Sequence, residues 1–116
     1  MNTHVSSLDH ALHAIADATR RRILEVLKED RSRSGASLRS RSSSYATGKD
    51  AQGRCVGLCA GDIEERVKLS QPTISHHMAI LTKAGLVEAV KEGQWRWYRR
   101  NEKAIRQMIK GLRARI

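Results

Sequence analysis

The sequence is poor in aromatic residues. It has no Phe, two Trp and two Tyr, and three of these four lie together at Trp95, Trp97 and Tyr98. Proteins that bind single-stranded nucleic acid or RNA usually spread aromatic side chains over a stacking platform. A single cluster argues against that class, although a non-specific architectural or RNA-binding protein stays a distant alternative. The cluster is expected to cover the core and support strand pairing.

Cysteines and long apolar runs are also scarce. Cys55 and Cys59 are too few for a disulfide scaffold or a closed zinc site, so a reduced thiol pair is expected. No apolar run could span a bilayer and no secretory signal is visible, which predicts a cytoplasmic protein without a membrane partner. Phosphate-loop, nucleophile-elbow and zinc-hydrolase motifs are missing, so neither an enzyme nor a cofactor is predicted.

Acidic residues are outnumbered by basic ones. The 116 residues include 12 Asp and Glu against 22 Lys and Arg, giving a net charge of +10. Such a balance favours a polyanionic partner, with nucleic acid ahead of an anionic membrane surface. A surplus that serves only solubility is the alternative. The length predicts a single domain over residues 1–116, which would gain stability from a partner subunit.

Half of that charge falls in one segment. Residues 31–54 contain seven Ser, six basic residues and one acidic residue. This composition predicts a flexible, basic, Ser- and Arg-rich insertion, because so few apolar side chains cannot offset the entropy of ordering. The segment could be an arm that binds phosphates or a solvated linker, and the sequence does not decide between them.

The remaining elements follow a recognisable order. Apolar spacing, turn residues and alternation predict helices at about 6–16, 19–29, 62–67 and 71–84, a β-hairpin at 86–100, and an amphipathic helix at 102–116. Two short helices joined by a tight turn and followed by a hairpin form a winged helix-turn-helix. The predicted fold class is therefore mainly α with a small β-hairpin.

The stretch "LSQPTISHHMAILTKAGL", Leu69 to Leu86, predicts a helix that reads DNA. Its apolar residues Ile74, Met78 and Leu81 share one face. The other side offers small or neutral hydrogen-bonding groups, which suit base edges and phosphates. A polar face that contacts only water is the alternative. The predicted DNA contacts are Gln71, Thr73, Ser75, His76, His77 and Lys83 in the helix, with Gln94 and Arg96 in the hairpin.

His77 has a second interpretation, and the hairpin carries further donors. His77 lies near the edge of the apolar face, so a partly packed histidine is as good an interpretation as a DNA contact. In the hairpin, basic and amide groups are predicted on or near the tip, where a wing would meet phosphates or the minor groove. These groups are Lys91, Gln94, Arg96, Arg99 and Arg100.

Three stretches resemble the ArsR/SmtB family of bacterial winged-helix repressors: residues 15–27, residues 60–101 and the amphipathic tail. The resemblance implies a homodimer built from the first and last helices that binds a palindromic promoter site in double-stranded DNA and represses transcription. It also implies that Gln71, Thr73, Ser75 and His76 line the reading helix, with Gln94 and Arg96 in the wing. The implied dimer contacts are Leu8, Leu12, Ile105, Met108, Ile109 and Leu112.

The chain departs from the metal sensors of that family. Such sensors carry Cys-x-Cys at the start of the third helix, whereas this chain has Cys59-Ala60-Gly61. Another family site uses Asp and His on the last helix, and residues 102–116 contain neither. The chain is more similar to metal-independent autorepressors, and no metal site is predicted. A thiol- or metal-responsive repressor acting through Cys55 and Cys59 stays open as the alternative.

Overall fold

A computed structural model describes residues 7–32, 47–49, 55–92 and 95–116. In chain order these residues form α1 Ser7–Ile15, α2 Ala18–Ser32, β1 Thr47–Lys49, β2 Cys55–Cys59, α3 Ala60–Val67, α4 Gln71–Lys83, β3 Val87–Glu92, β4 Trp95–Arg100 and α5 Glu102–Arg115. The predicted helices and hairpin are all present. The winged helix-turn-helix prediction is therefore confirmed.

The sheet is larger than the predicted hairpin. It has four antiparallel strands in the order β1-β2-β4-β3, with Gly48 opposite Gly57 and Leu58 opposite Tyr98. Strand β1 lies within residues 31–54, and α2 extends into the same segment, so secondary structure occurs at two places within the predicted insertion, whose flexibility stays a prediction. Amino-acid composition indicates how much apolar surface a segment can bury, whereas strand pairing uses backbone N–H and C=O groups, which almost every residue supplies. The rest of that prediction lies outside the described residues.

Gly57 allows β2 to lie close to β4. Its φ is +140°, a backbone conformation that residues with a Cβ rarely adopt. A Cβ at this position would collide with the backbone carbonyl of Tyr98. The absence of a side chain therefore permits the close approach of the two strands.

The core lies where the helices meet the sheet. Ile23, Ile63, Ile74 and Leu81 are each fully buried, and Leu86 at the start of the hairpin is 1% exposed. Burying an aliphatic side chain of this size contributes about 1.5–3 kcal/mol to stability. These contacts hold α2, α3 and α4 against the sheet, so the outer face of α4 is presented on a rigid support.

Polar groups define two boundaries between elements. The Asp17 carboxylate accepts hydrogen bonds from the N–H of Thr19 at 2.7 Å and of Arg20 at 3.3 Å, which separates α1 from α2 as predicted. These bonds, the first above all, lower the pKa of Asp17. At the other boundary, the Asn101 side chain accepts from the N–H of Ala104 at 3.1 Å and begins α5.

None of the helices in the described part of the chain is long and apolar enough to cross a membrane.

Candidate nucleic-acid interface

Helices α3 and α4 are joined by a tight turn. Lys68 ends α3 in the left-handed conformation, with φ 65° and ψ 46°, and its N–H donates to the Glu64 carbonyl. Ser70 then takes the N-cap position of α4. Its hydroxyl makes no capping bond and instead pairs with the Thr73 hydroxyl at 3.0 Å. A connection this short fixes α4 relative to α3 as the second helix of a helix-turn-helix.

Helix α4 has one buried side and one exposed side, with His77 and Ile80 half-buried between them. Ile74, Met78 and Leu81 are 0%, 2% and 0% exposed. On the other side the exposed residues form what we call the reading face, consisting of Gln71, Pro72, Thr73, Ser75, His76, Ala79, Thr82 and Lys83. The structure therefore brings together five of the six residues predicted in this helix. Apart from Lys83, they carry neutral hydrogen-bonding groups suited to base edges and phosphates.

His77, the sixth, sits at the margin of the reading face. It is half-buried, and its Nδ1 lies 3.2 Å from the Nη1 of Arg20 in α2. Burial is the main cause that lowers the pKa of His77, and the charges of Arg20 and His76 act in the same direction. Since this nitrogen already has a protein partner, only the other edge of the ring is left for DNA. The prediction that His77 contacts DNA stays a prediction.

Arg20 was missed as a site residue by sequence reasoning. It is 7% exposed, and its Nε and Nη2 donate to the carbonyls of Ala14 at 2.6 Å and His13 at 3.2 Å. A signal was present, because position 20 precedes Ile23 and Leu24 by three and four residues and so shares their face of α2. The run of three arginines in "ATRRRIL" obscured it.

The hairpin β3–β4 forms the wing. Lys91 pairs in register with Arg96, next to the tip, and both side chains are exposed. Neither makes an ion pair among those found in the described residues. These two cations are therefore free to meet a phosphate backbone. Gln94, the other predicted wing contact, lies outside the described residues.

Arg99 and Arg100 do not belong to the wing tip, which corrects the sequence interpretation. Arg99 is opposite Glu88 and forms an exposed ion pair with it at 3.0 Å. Arg100 lies at the base of the hairpin, where it pairs with Glu102 at 2.7 Å and donates to the Leu24 carbonyl. Both guanidinium groups are occupied in holding the strand and α5 in place.

The aromatic cluster divides between the two faces of β4. Trp97 is 5% exposed and packs with Cys59 and Val90, whereas Tyr98 packs against the main core. The expectation that this cluster covers the core is confirmed for these two residues.

The predicted dimer residues lie on α1 and α5, but they differ in exposure. Ile105 is 8% exposed and belongs to the chain's own core, so it has little surface left for a partner. Ile109 is 49% exposed, and Leu8, Leu12, Met108 and Leu112 are half-buried. A cleft of about 170 Å³ opens between the two helices and is lined by Ser7, Leu8, Ala11, Ala84, Leu86, Ala104, Gln107 and Met108.

Of the two cysteines, Cys59 has a described side chain, whereas the side chain of Cys55 lies outside the described part of the chain. Cys59 is 7% exposed, and its Sγ donates to the Asp62 carboxylate at 3.4 Å. Burial raises the pKa of the Cys59 thiol, which disfavours the thiolate that binds metals. Among the described residues no group of three or more His, Cys, Asp or Glu could hold a metal ion.

The geometry defines the chain as a winged helix-turn-helix DNA-binding protein. A sequence model of bacterial regulatory proteins of the arsR family matches residues 57–89, which span β2, α3, α4 and the start of the wing. An uncharacterized HTH-type transcriptional regulator of Methanocaldococcus jannaschii is 45% identical over 53 residues, 46% of this chain and 60% of that protein.

Two relatives from Bacillus subtilis match over nearly the whole length. The uncharacterized HTH-type transcriptional regulator YbzH is 30% identical over 104 residues, 89% of this chain and 92% of YbzH. The transcriptional repressor SdpR is 30% identical over 102 residues, 88% of this chain and 84% of SdpR. This chain belongs to the ArsR family of bacterial regulatory proteins and is a DNA-binding transcriptional regulator.

A solved structure shares the fold. It is the homodimeric winged helix-turn-helix DNA-binding domain of a possible ArsR-family transcriptional regulator from Mycobacterium bovis. It superposes with a TM-score of 0.58 at 20% identity and covers 93% of this chain and 77% of that one.

Proposed function

We propose that this chain is a cytoplasmic, homodimeric repressor that binds a palindromic operator in double-stranded DNA. The observation that carries the proposal is the reading face of α4, whose neutral polar groups are exposed while the opposite side of the same helix is completely buried. A helix face that contacts only solvent normally alternates acidic and basic residues, whereas Lys83 is the one formal charge on this face. The name of the relative SdpR, a transcriptional repressor, supports repression as the outcome.

The contacts would divide between base reading and backbone binding. Gln71, Thr73, Ser75 and His76 would face base edges in the major groove, since the first turns of a recognition helix enter deepest. Lys83 in α4 would meet a phosphate. Gln94 and Arg96 would place the wing along the phosphate backbone or the minor groove.

A dimer would explain the exposed apolar surface of α1 and α5. A second copy could cover Ile109, Leu112 and the half-buried Leu8 and Leu12 by contact around a two-fold axis. The same axis would relate the two copies of α4, which predicts half-sites about one helical turn apart. The homodimeric M. bovis domain, which has the same fold, supports this arrangement.

The test is selection of bound duplexes from a random pool by the full chain, with and without reductant, zinc and arsenite. An enriched palindrome with half-sites about 10 base pairs apart is expected. Tight, salt-sensitive binding without enrichment would overturn the proposal in favour of a non-specific architectural or RNA-binding protein. A Ser75→Ala, His76→Ala double variant is the control, since it should bind the pool without enriching the palindrome.

The same selection decides whether the repressor senses thiol chemistry or a metal. The burial of Cys59 and its bond to Asp62 favour a repressor that does not respond to zinc, arsenite or oxidation. Enrichment that is lost on their addition, and retained by a Cys55→Ser, Cys59→Ser variant, would establish the sensor instead.

A further inference from the structure

Arg20 is the only charged side chain that is buried in the described part of the chain. A buried charge is costly unless its hydrogen-bonding groups find partners. Two of its partners are the carbonyls of His13 and Ala14, at the carboxyl end of α1, where the helix dipole favours a cation. The third is His77 in α4. Arg20 therefore joins the end of α1 to the helix that carries the reading face.

The chemistry of arginine fixes the state of the histidine. A guanidinium group has five N–H donors and no acceptor, so at 3.2 Å the Nδ1 of His77 must accept. An imidazole whose Nδ1 accepts is neutral and carries its proton on Nε2. Protonation would place an N–H donor and a second positive charge directly against Arg20, and the hydrogen bond would be lost.

Three charged or titratable groups bear on His77. Arg20 and the neighbouring His76 favour its neutral form, and Asp17 at the start of α2 favours the protonated form. The His77 ring is also half-buried, which disfavours a charge there. Taken together, burial and the neighbours Arg20 and His76 outweigh the one carboxylate, since the pKa of His77 is lowered.

We propose that Arg20 is a positioning residue for the reading helix, that it acts through neutral His77, and that acidification therefore weakens sequence-specific DNA binding. The inference rests on the proposed function of α4. With the bond intact, α4 is held against the end of α1 and the start of α2. With His77 protonated, that attachment is lost and the reading face is less well oriented.

The expected sign is opposite to that of ordinary electrostatics. Protonating histidines adds positive charge and should strengthen binding to any DNA duplex as the pH falls. The positioning bond predicts instead that the ratio of specific to non-specific affinity falls as the pH drops below the ordinary pKa range of histidine. A loss of about tenfold is expected, the effect of one hydrogen bond to a charged group.

The test measures binding of the full chain to the duplex enriched at about pH 8 and to a scrambled duplex, from about pH 8 to about pH 5 at constant ionic strength. The wild-type ratio should fall with pH. His77→Gln keeps an acceptor for Arg20 but cannot titrate, so its ratio should fall clearly less than that of the wild type, and any remaining fall would come from His76 on the reading face. His10→Gln removes an exposed histidine of α1 and should behave as the wild type. A constant wild-type ratio, or a ratio that falls as steeply in His77→Gln as in the wild type, would overturn the proposal.

A second measurement does not depend on DNA. Nitrogen NMR of the histidine rings should show His77 as the Nε2–H tautomer, with a pKa below the ordinary value for histidine. An Nδ1–H tautomer would overturn the bond to Arg20 even if an operator is found. If no duplex is enriched at about pH 8 while the tautomer is as expected, the proposed function fails and the Arg20–His77 contact stands.

Discussion

Helices α4 and α5 are both amphipathic, but only α4 has its apolar face fully covered by the chain itself. The apolar residues Ile74 and Leu81 of α4 are fully buried. Along α5 the exposure rises instead, from 8% at Ile105 to 49% at Ile109 and 95% at Ile116. The chain's own core covers the apolar face of α4 but only the first turn of α5.

This difference indicates the kind of partner that each helix requires. The exposed face of α4 is polar and nearly neutral. It therefore suits a partner that offers hydrogen-bonding groups in a fixed pattern, as the edges of base pairs do. The unsatisfied part of α5 is apolar, so it suits a second apolar surface such as another α5. We therefore propose that the exposed face of α4 binds nucleic acid and that the exposed face of α5 binds protein.

The largest effect should follow from breaking the apolar surface of α5. Leu112→Asp puts a carboxylate where a second copy would pack, and the cost of burying it should dissociate the dimer. Sedimentation or light scattering should show a monomer, and binding to the palindrome should fall at least a hundredfold. Ala114→Asp places the same charge on the exposed side of α5 and should remain dimeric. A dimeric Leu112→Asp would show that α5 does not form the interface.

The next largest effect should come from the reading face. Ser75→Ala removes a hydroxyl from the exposed side of α4 and should weaken binding to the selected palindrome about tenfold, with little change on scrambled DNA. Thr82→Ala removes a hydroxyl from the same reading face about two turns further along, away from the first turns that enter the groove deepest, so it should weaken binding to the palindrome less than Ser75→Ala does. Equal losses on both duplexes would indicate that Ser75 contributes to general binding and not to base reading.

The apolar stripes of α4 and α5 were visible in the sequence, but the contrast in how far the chain covers them was not. The spacing of Ile74, Met78 and Leu81 predicted a buried stripe, and Ile105, Met108 and Ile109 predicted a second one. Spacing predicts which residues share a face but not how much of that face the same chain covers. Only the structure shows that the first stripe is fully covered and that Ile109 in the second is not.

Contacts between distant parts of the chain were not predictable. Arg20 and His77 are separated by 57 residues, and nothing local to either one indicates the other. Strand β1 was missed because its pairing with β2 uses backbone groups within a segment whose composition is typical of disorder. Arg99 and Arg100 were assigned to the wing tip from their charge, but the strand register places Arg99 opposite Glu88, and the Arg100 side chain pairs with Glu102 of α5.

A smaller effect is expected at the wing. Arg96→Ala removes an exposed cation next to the tip, so binding to every duplex should weaken and the dependence of log K on log salt should lose about one phosphate contact. Arg113→Ala removes an exposed cation of α5, on the side of the molecule assigned to protein contacts, and should leave that slope unchanged. An unchanged slope for Arg96→Ala would remove Arg96 from the DNA interface.

The smallest effect is expected at Cys59, at the start of α3 and away from both the reading face and the apolar surface of α5. Because burial raises its pKa, the thiol should stay protonated at neutral pH and react with iodoacetamide at least about tenfold more slowly in the folded than in the unfolded chain. The rate should rise only as the pH rises through that raised pKa.

A Cys55→Ser chain isolates this thiol, and a Cys59→Ser chain gives the matched rate for Cys55. Equal rates for Cys59 in the folded and unfolded states would mean that it is accessible and ionised more readily than its burial predicts. The molecule would then have a third functional region, a reactive thiol directly before the helix-turn-helix. In that case modification of Cys59 could move α3, and α4 with it, so the distinction between a DNA-reading helix and a protein-binding helix would no longer describe the whole regulator.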